Sequence, residues 1–346
     1  MMRVIKMRRE SRINERQKKI LYCAVREYIM SKRPVSSERV LEASDLSCSS
    51  ATVRNDLRKL EYLGYLHQPH TSAGRIPTDK GYRFYVDETL SLMKEYTQRS
   101  SSIYSKYPIT FGDMEKILEG AAMALSKIAK GAVILEKPAV EKLKILRVAI
   151  APVTRTYYVV SMVMELGLVK FIPFRTFQEI DYLSLESIMN QLLSGRNIEN
   201  MSDRILESEI DQYLIDLSEY LVNTLKEDFR NDLIKVGIDT LINAEDFDVE
   251  EVRKLSNFFS DDLMLRKVFI NAKEIPAVLI GSEHGVSGLE NLAFFIDGYK
   301  KEDKLMGKVM AITSKVVRYE DIFNSLRYMT SRLTEYFTVA TREEGK

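Results

Sequence analysis

The chain has 346 residues, of which 45% are hydrophobic and 29% charged, a composition that excludes a disordered or fibrous protein. At about 150 residues per domain, this length predicts two or three domains. No apolar run reaches the roughly 18 residues of a membrane span, and no signal-peptide block follows the basic N-terminus. We therefore expect a cytoplasmic protein. Its two cysteines, Cys23 and Cys48, fit a reducing compartment because they cannot build a disulfide framework.

Positive charge is concentrated near the N-terminus. Residues 1–90 contain 18 lysines and arginines against 11 acidic residues, a net charge of +7, whereas the remainder has 33 against 39, a net charge of −6. Eight of the basic residues lie in the first 19 positions, where only Glu10 and Glu15 oppose them. A basic arm before a basic module predicts a polyanionic partner, because neutralising phosphates releases counterions.

The first elements of the chain are predicted to be three helices. Apolar residues recur at helical spacing over 14–32, and Pro34 ends this first helix. A short second helix follows, with Ser36 or Ser37 as its N-cap. A turn over 45–49 then leads into the third helix.

The third helix, 50–63, is followed by a predicted hairpin. Gly64 is placed to stop the helix in the left-handed conformation. Residues 65–68 have the pattern of a short strand, and the Pro- and Gly-containing loop 69–77 leads into a second strand. Three helices and a two-stranded wing predict a winged helix-turn-helix DNA-binding domain over residues 1–90.

The third helix has two different faces. At about 100° per residue, Val53, Leu57 and Leu60 fall on one side and predict the surface that docks on the domain core. The opposite side is expected to enter the DNA major groove; its residues are Ala51, Arg54, Asn55 and Arg58. Arginine can bind guanine O6 and N7 together, asparagine can pair with adenine, and a small alanine can approach a thymine methyl group.

Other residues in this region are predicted to contact the DNA backbone. Ser49, Ser50 and Thr52 lie at a helix N-terminus, where hydroxyls and amides suit phosphates. His70 and Arg75 lie in the wing loop, which could reach the backbone or the minor groove. These five residues complete the predicted DNA-binding set. A solvated helix face and an ordinary hairpin tip are the alternative interpretation.

Beyond the wing, a helix begins near Thr78, and a linker is predicted over 91–110. Strand-like runs over 145–174 and again over 277–313 enclose a stretch of about 80 residues, 184–266, whose pattern is helical and acidic. Strands on both sides of a helical block predict a helical domain inserted into an α+β domain. The expected boundaries are 111–183 and 267–346 for the α+β domain and 184–266 for the insert.

No residue set predicts a cofactor, a metal or catalysis. His67 and His70 are spaced as H-x-x-H, and Cys48 could fold beside them as a third ligand, but this spacing lacks the fixed geometry of zinc motifs. His284 lies in a Gly-rich turn without a nucleophile elbow, Walker loop or HExxH motif to accompany it. We therefore expect neither an enzyme nor a cofactor- or metal-binding protein.

Three segments closely resemble the heat-inducible transcription repressor HrcA family of bacteria. They are PVSSERVL at 34–41, SSATVRNDLRKLEYLGYL at 49–66 and QPHTSAGRIPTDKGYRFY at 68–85. LKILRV at 143–148 is similar to the start of the GAF-like domain of the family, and the helical block at 184–266 lies where the family has its inserted dimerisation domain. The basic residues before Asn14 have no counterpart in this resemblance.

The resemblance implies a homodimer that binds double-stranded DNA at the inverted-repeat operator CIRCE and represses chaperone operons. It also implies that the GroE chaperonin keeps the repressor competent, and that the protein is associated with the nucleoid. A second hypothesis is that a small molecule in the GAF-like domain sets DNA affinity. The candidate pocket residues of that domain are mostly apolar, so the sequence does not identify a ligand.

Overall fold

The computed structural model describes residues 13–70, 73–96, 114–138, 143–197, 216–217, 219–221, 223–224, 233–244 and 247–343. These residues form a mixed fold of helices and antiparallel β-sheets, in agreement with the predicted α+β class. Residues 1–12 of the basic arm lie outside the described residues, as do residues 97–110 of the predicted linker.

The chain divides into two compact units, each built from three segments. The first unit consists of residues 1–103, 278–294 and 313–324, and the second of residues 104–277, 295–312 and 325–346. Two short segments from the C-terminal third thus belong to the same unit as the N-terminal elements.

The N-terminal elements follow the predicted order of three helices, a hairpin and a helix. They are α1 Glu15–Ser31, α2 Ser37–Ala43, α3 Ser50–Tyr62, β1 Leu66–His67, β2 Ile76–Pro77 and α4 Asp79–Tyr96.

Local capping explains where these helices begin and end. Asn14 and Gln17 cap α1 reciprocally, because each side chain accepts the backbone amide of the other. The Ser49 hydroxyl caps α3 by accepting the amide of Thr52 at 3.2 Å. Gly64 follows α3 with a φ of +76°, a left-handed conformation that glycine adopts at low cost. Of these caps, the sequence predicted the stop of the third helix at Gly64.

The first three helices share one apolar core. Fully buried side chains come from each helix in turn: Ile20, Leu21 and Val25 from α1, Val40 from α2, and Val53, Leu57 and Leu60 from α3. Burying a side chain of this size stabilises the fold by about 1.5–3 kcal/mol, so these contacts hold α3 in a fixed orientation.

The remaining elements alternate between helices and strands. They are α5 Met114–Ala129, β3 Ala132–Glu136, β4 Ile145–Thr154, β5 Tyr157–Met164, β6 Val169–Arg175, α6 Tyr182–Leu193, β7 Leu233–Val236, α7 Ile238–Ala244, α8 Val249–Ser260, α9 Asp262–Asn271, β8 Ala277–Ile280, β9 Leu292–Lys301, β10 Lys304–Ser314 and α10 Tyr319–Glu343.

A five-stranded sheet has the strand order β7-β3-β10-β9-β8. Its strand β3 lies antiparallel to both neighbours, with Val133 opposite Val236 of β7 and Ala311 of β10. Four consecutive residues of β3, from Ala132 to Leu135, are fully buried, as expected of a strand covered on both faces.

A second, three-stranded sheet has the order β4-β5-β6 and its own core. Strand β5 alternates between half-buried and buried residues along its whole length, so only one face of this sheet is covered. Helix α6 packs on that face through Leu185, Met189 and Leu193, which belong to the same apolar cluster as Val160 and Leu221.

The predicted domain boundaries do not match these two sheets. The strands over 145–175 were expected in the α+β domain, but they form a separate sheet with α6. The helical block 184–266 was expected to be continuous, but it contains β7, which pairs with β3 of the five-stranded sheet. A four-residue strand is too short for its periodicity to distinguish it from flanking helices, and local pattern cannot reveal which strands share a sheet.

Helix α4 is anchored within the first unit by polar and aromatic contacts. Asp79 in its first turn accepts hydrogen bonds from the Lys315 ammonium at 2.9 Å and from the Ser282 amide at 3.1 Å. Tyr85 donates to the Glu320 carboxylate at 2.7 Å, and its ring lies edge-on to Tyr319, with ring centroids 6.2 Å apart. Segments distant in sequence therefore hold the helix that follows the hairpin.

Among the described helices, none is long and apolar enough to cross a membrane.

Candidate nucleic-acid interface

Helix α3 presents the polar face that the sequence predicted. Val53, Leu57 and Leu60 are fully buried against the core of the first three helices. The four residues on the other side are exposed: Ala51, Arg54, Asn55 and Arg58. We call these four residues the polar face of α3. The structure therefore brings together two arginines, an asparagine and a small residue on one accessible surface.

The N-termini of α2 and α3 meet beside the polar face. The hydroxyls of Ser37 and Ser50 lie 3.3 Å apart, and Ser50 also donates to the Glu38 carboxylate at 3.1 Å. The Ser49 hydroxyl is exposed and lies 3.0 Å from that of Thr52. Ser49, Ser50 and Thr52 are thus grouped at one end of α3, and the hydroxyls of all three already make hydrogen bonds within the protein. Their predicted phosphate contacts stay a prediction.

Arg54 is held by a carboxylate from the neighbouring helix. One guanidinium nitrogen of Arg54 donates to Oε1 of Glu38 at 3.2 Å, and both side chains remain more than half exposed. Hydrogen bonds from its own backbone amide and from three neighbouring serines lower the pKa of Glu38 to about 2, so it is ionised at neutral pH.

Asp56 is a structural residue of this site that the sequence analysis did not identify. Its side chain is buried on the core side of α3 and accepts hydrogen bonds from Arg16 at 2.8 Å and Gln17 at 2.9 Å. These bonds join the third helix to the first. A signal was present in the sequence, since Asp56 falls on the same helical face as Val53 and Leu60, where an acidic residue needs a partner.

The hairpin β1–β2 lies close to the segment between α1 and α2. Leu66 pairs with Pro77, and the backbone of Val35 exchanges two hydrogen bonds of 2.9 Å with that of Arg75. Gly74 makes this approach possible, because a Cβ atom there would lie 2.7 Å from the Val35 backbone. The base of the hairpin is therefore fixed to the three-helix core.

The two predicted DNA contacts in the wing have different surroundings. His70 is exposed beside residues 71–72, which lie outside the described part of the chain. Arg75 instead has only 10% of its side chain exposed and forms an ion pair of 3.2 Å with Glu61 of α3. The Arg75 guanidinium thus fastens the hairpin to α3, and its predicted contact with DNA stays a prediction.

The histidines considered in the sequence analysis have the following surroundings. No group of three or more His, Cys, Asp and Glu side chains within the described residues is arranged to hold a metal ion. His284 is buried and stacked on Phe294, with ring centroids 4.2 Å apart. Its Nδ1 accepts the Val286 amide, and its Nε2 lies 3.1 Å from the Leu289 carbonyl oxygen, so it is a structural residue of the turn. Burial lowers the pKa of His284, which favours the neutral imidazole over the charged one.

The first three helices form one core with an attached hairpin, and one of these helices exposes arginine and asparagine side chains. This arrangement is typical of DNA-binding transcription regulators. Comparisons with known proteins identify the family. The model of the HrcA protein C-terminal domain matches residues 115–323.

Whole-chain relatives agree with this match. The chain is 40% identical over 330 residues to the heat-inducible transcription repressor HrcA of Thermotoga neapolitana, covering 95% of this chain and 96% of the relative. It is 27% identical to HrcA of Thermoanaerobacter sp. (strain X514), covering 96% and 99%. A crystal structure of a hypothetical protein at 2.2 Å resolution is 37% identical, with a TM-score of 0.66, and the match covers 95% of this chain and 100% of that one. The chain belongs to the HrcA family of heat-inducible transcription repressors, which confirms the resemblance seen in the sequence and agrees with a regulator rather than an enzyme.

Proposed function

We propose that this chain represses chaperone operons by binding the inverted-repeat operator CIRCE as a homodimer, with the GroE chaperonin maintaining its active form. The relatives are repressors named for induction by heat, which supports a role in the heat-shock response. The N-terminal elements act as the winged helix-turn-helix domain of the repressor. The five-stranded sheet and its helices make up the GAF-like domain.

The observation that carries this proposal is the polar face of α3. A helix that turns its leucines into the core and exposes Arg54, Asn55 and Arg58 has the donors and acceptors that recognise base edges. Ser49 and Thr52 at its N-terminus bind phosphates and set the register of the helix on the duplex. His70 of the wing reaches the DNA backbone, whereas Arg75 holds the wing in position.

The three-stranded sheet supports the proposed homodimer. Large apolar side chains are exposed on and beside β6 and α6, including Phe171 at 70% and Leu183 at 64% exposure. Exposed apolar surface of this kind marks an interaction site. We assign dimerisation to this subdomain, 145–193 with residues 216–217, 219–221 and 223–224, which overlaps the block 184–266 expected from the sequence.

A binding experiment tests the proposal directly. The purified chain is titrated onto a duplex carrying the inverted repeat and onto a scrambled duplex, each at several salt concentrations, with and without chaperonin. We expect preference for the inverted repeat, affinity that falls steeply with salt, and a larger active fraction with chaperonin. Equal affinity for both duplexes would reject the operator-binding function.

Sedimentation tests the homodimer separately. Phe171→Asp places a charge on the exposed apolar surface, and the variant should sediment as a monomer at concentrations where the wild type is dimeric. Tyr62→Asp is the control, because Tyr62 is 89% exposed on α3, outside the three-stranded subdomain. A wild-type chain that is monomeric at every concentration would reject the dimer.

A further inference from the structure

We propose that Glu38 is a positioning residue for DNA recognition, which holds the Arg54 guanidinium on the polar face of α3 in the orientation that reads a base. The inference rests on the proposed function and adds a specificity determinant from α2, outside the recognition helix. Glu38 is anchored independently of Arg54, and it contacts the arginine that α3 exposes.

The anchoring of Glu38 is visible in its contacts. A single carboxylate oxygen, Oε1, lies 3.2 Å from the Ser37 hydroxyl and 3.1 Å from the Ser50 hydroxyl. These serines lie at the N-termini of α2 and α3, so the carboxylate is fixed to both helices. The same oxygen accepts a hydrogen bond from the Arg54 guanidinium. The position of the guanidinium is therefore set by a carboxylate that is bonded to both helices.

Stability is a poor explanation for this ion pair. The side chains of Arg54 and Glu38 are 55% and 57% exposed, and exposed ion pairs contribute little to folding because water screens them. An arginine restrained before binding, however, loses less side-chain freedom when it forms its hydrogen bonds with a base. The pair therefore contributes to recognition and hardly to folding.

The charge of Glu38 has a second consequence. An ionised carboxylate beside the N-terminus of α3 repels phosphates, which weakens binding to any DNA. This repulsion acts on specific and non-specific DNA alike, so it lowers both affinities without changing their ratio. Glu38 raises the ratio of specific to non-specific affinity only through its restraint on Arg54.

Two substitutions in α2 separate these effects. Glu38→Gln removes the charge and the strong acceptor, whereas Glu42→Gln removes the same charge from the same helix at a side chain that contacts Arg39. Both variants are titrated onto the inverted repeat, onto duplexes with single base-pair changes in each half-site, and onto scrambled DNA. The same titrations are made with Arg54→Ala and with the double variant of Glu38→Gln and Arg54→Ala.

We expect Glu38→Gln to reduce discrimination about 3- to 10-fold at the base pair that Arg54→Ala also affects, and to raise affinity for scrambled DNA. Glu42→Gln should leave discrimination unchanged. In the Arg54→Ala background, Glu38→Gln should have no further effect on discrimination. Glu38→Asp keeps the charge but shortens the side chain, so it should lose discrimination without gaining affinity for scrambled DNA, provided that thermal unfolding shows a folded variant.

Three outcomes would overturn the inference. They are equal discrimination by the Glu38→Gln variant and the wild type, an equal loss of discrimination in Glu42→Gln, and an undiminished effect of Glu38→Gln when Arg54 is already alanine. A wild-type chain without preference for the inverted repeat would reject the proposed function together with the inference. Wild-type specificity with an unchanged Glu38→Gln profile would reject the inference alone.

Discussion

The Lys315 ammonium donates a hydrogen bond to Asp79 at 2.9 Å, joining residues 236 positions apart. Asp79 lies in the first turn of α4, directly after the second strand of the hairpin. The bond therefore helps to hold α4 against the other segments of the first unit. Burial tends to raise the pKa of Asp79, but its hydrogen bonds with Lys315 and Ser282 outweigh that effect, and the pKa lies below its ordinary value.

The first prediction concerns the pH dependence of stability. A carboxyl whose pKa is lower in the folded state stabilises the fold above its unfolded pKa of about 3.9, and this contribution is lost as the pH falls through the folded pKa. Asp79→Asn should therefore lower the free energy of unfolding by about 1 kcal/mol at neutral pH, with the difference shrinking below about pH 4. Urea unfolding over a pH series measures this difference.

Asp87→Asn is the matched control for Asp79, because Asp87 lies on the same helix and is 62% exposed in its pair with Arg83. Its effect on unfolding should be smaller. A difference between wild type and Asp79→Asn that stays constant from neutral to acidic pH would contradict the prediction.

The second prediction concerns Asp56. Asp56→Ala removes the acceptor for Arg16 and Gln17, and it should lower the free energy of unfolding by about 2 kcal/mol because a buried donor loses its partner. Chemical denaturation measures this loss. Lys59→Ala, an exposed change on the same helix, should stay within about 0.5 kcal/mol of the wild type. Equal stability of the two variants would argue against a stabilising role for the hydrogen bonds of Asp56 that join α1 to α3.

The third prediction concerns base recognition by α3. Arg58→Ala should reduce discrimination at one base pair of each half-site by about 1–3 kcal/mol, with an unchanged unfolding temperature because Arg58 is exposed. Competition binding with single base-pair variants of the inverted repeat measures the change. Loss of affinity that is uniform over all duplexes would instead indicate that Arg58 contacts a phosphate.

The fourth prediction compares two glycines. Gly74→Ala places a Cβ atom 2.7 Å from backbone atoms of Val35, which cannot yield, so it should destabilise the unit by about 1–3 kcal/mol. Gly120→Ala meets nothing within 4 Å in the exposed part of α5 and should stabilise the chain by about 0.5–1 kcal/mol. Thermal unfolding of both variants checks the opposite signs. A neutral Gly74→Ala variant would show that the hairpin is not held close to Val35.

Much of the N-terminal region could be predicted because its signals are local. Cap residues such as Ser49 act on amides three positions away, and helical periodicity separates Leu57 from Arg58 within one turn. The polar face of α3 follows from the same periodicity. Its pairing with Glu38 could not be predicted, since it depends on how α2 lies beside α3.

Two features of the structure could not be predicted, for the same physical reason. Arg75 is a basic residue of a polar loop, as expected of a DNA contact, yet the close packing of the hairpin places it beside Glu61. The strands over 145–175 have the pattern of any half-buried sheet, and nothing local distinguishes them from the strands of the other sheet. In each case the partner, and not the residue itself, decides the role.

The sequence by itself determined the three-helix and hairpin order, the helix ends, the exposed polar face and the membership of the HrcA family, because capping and periodicity act within a few residues and family motifs are contiguous. Only the tertiary structure decided the pairing of Asp79 with Lys315, the burial of Asp56 and Arg75, and the division of the strands into two sheets. Those features depend on which distant segments pack together, and such packing is a property of the whole chain that no local pattern encodes.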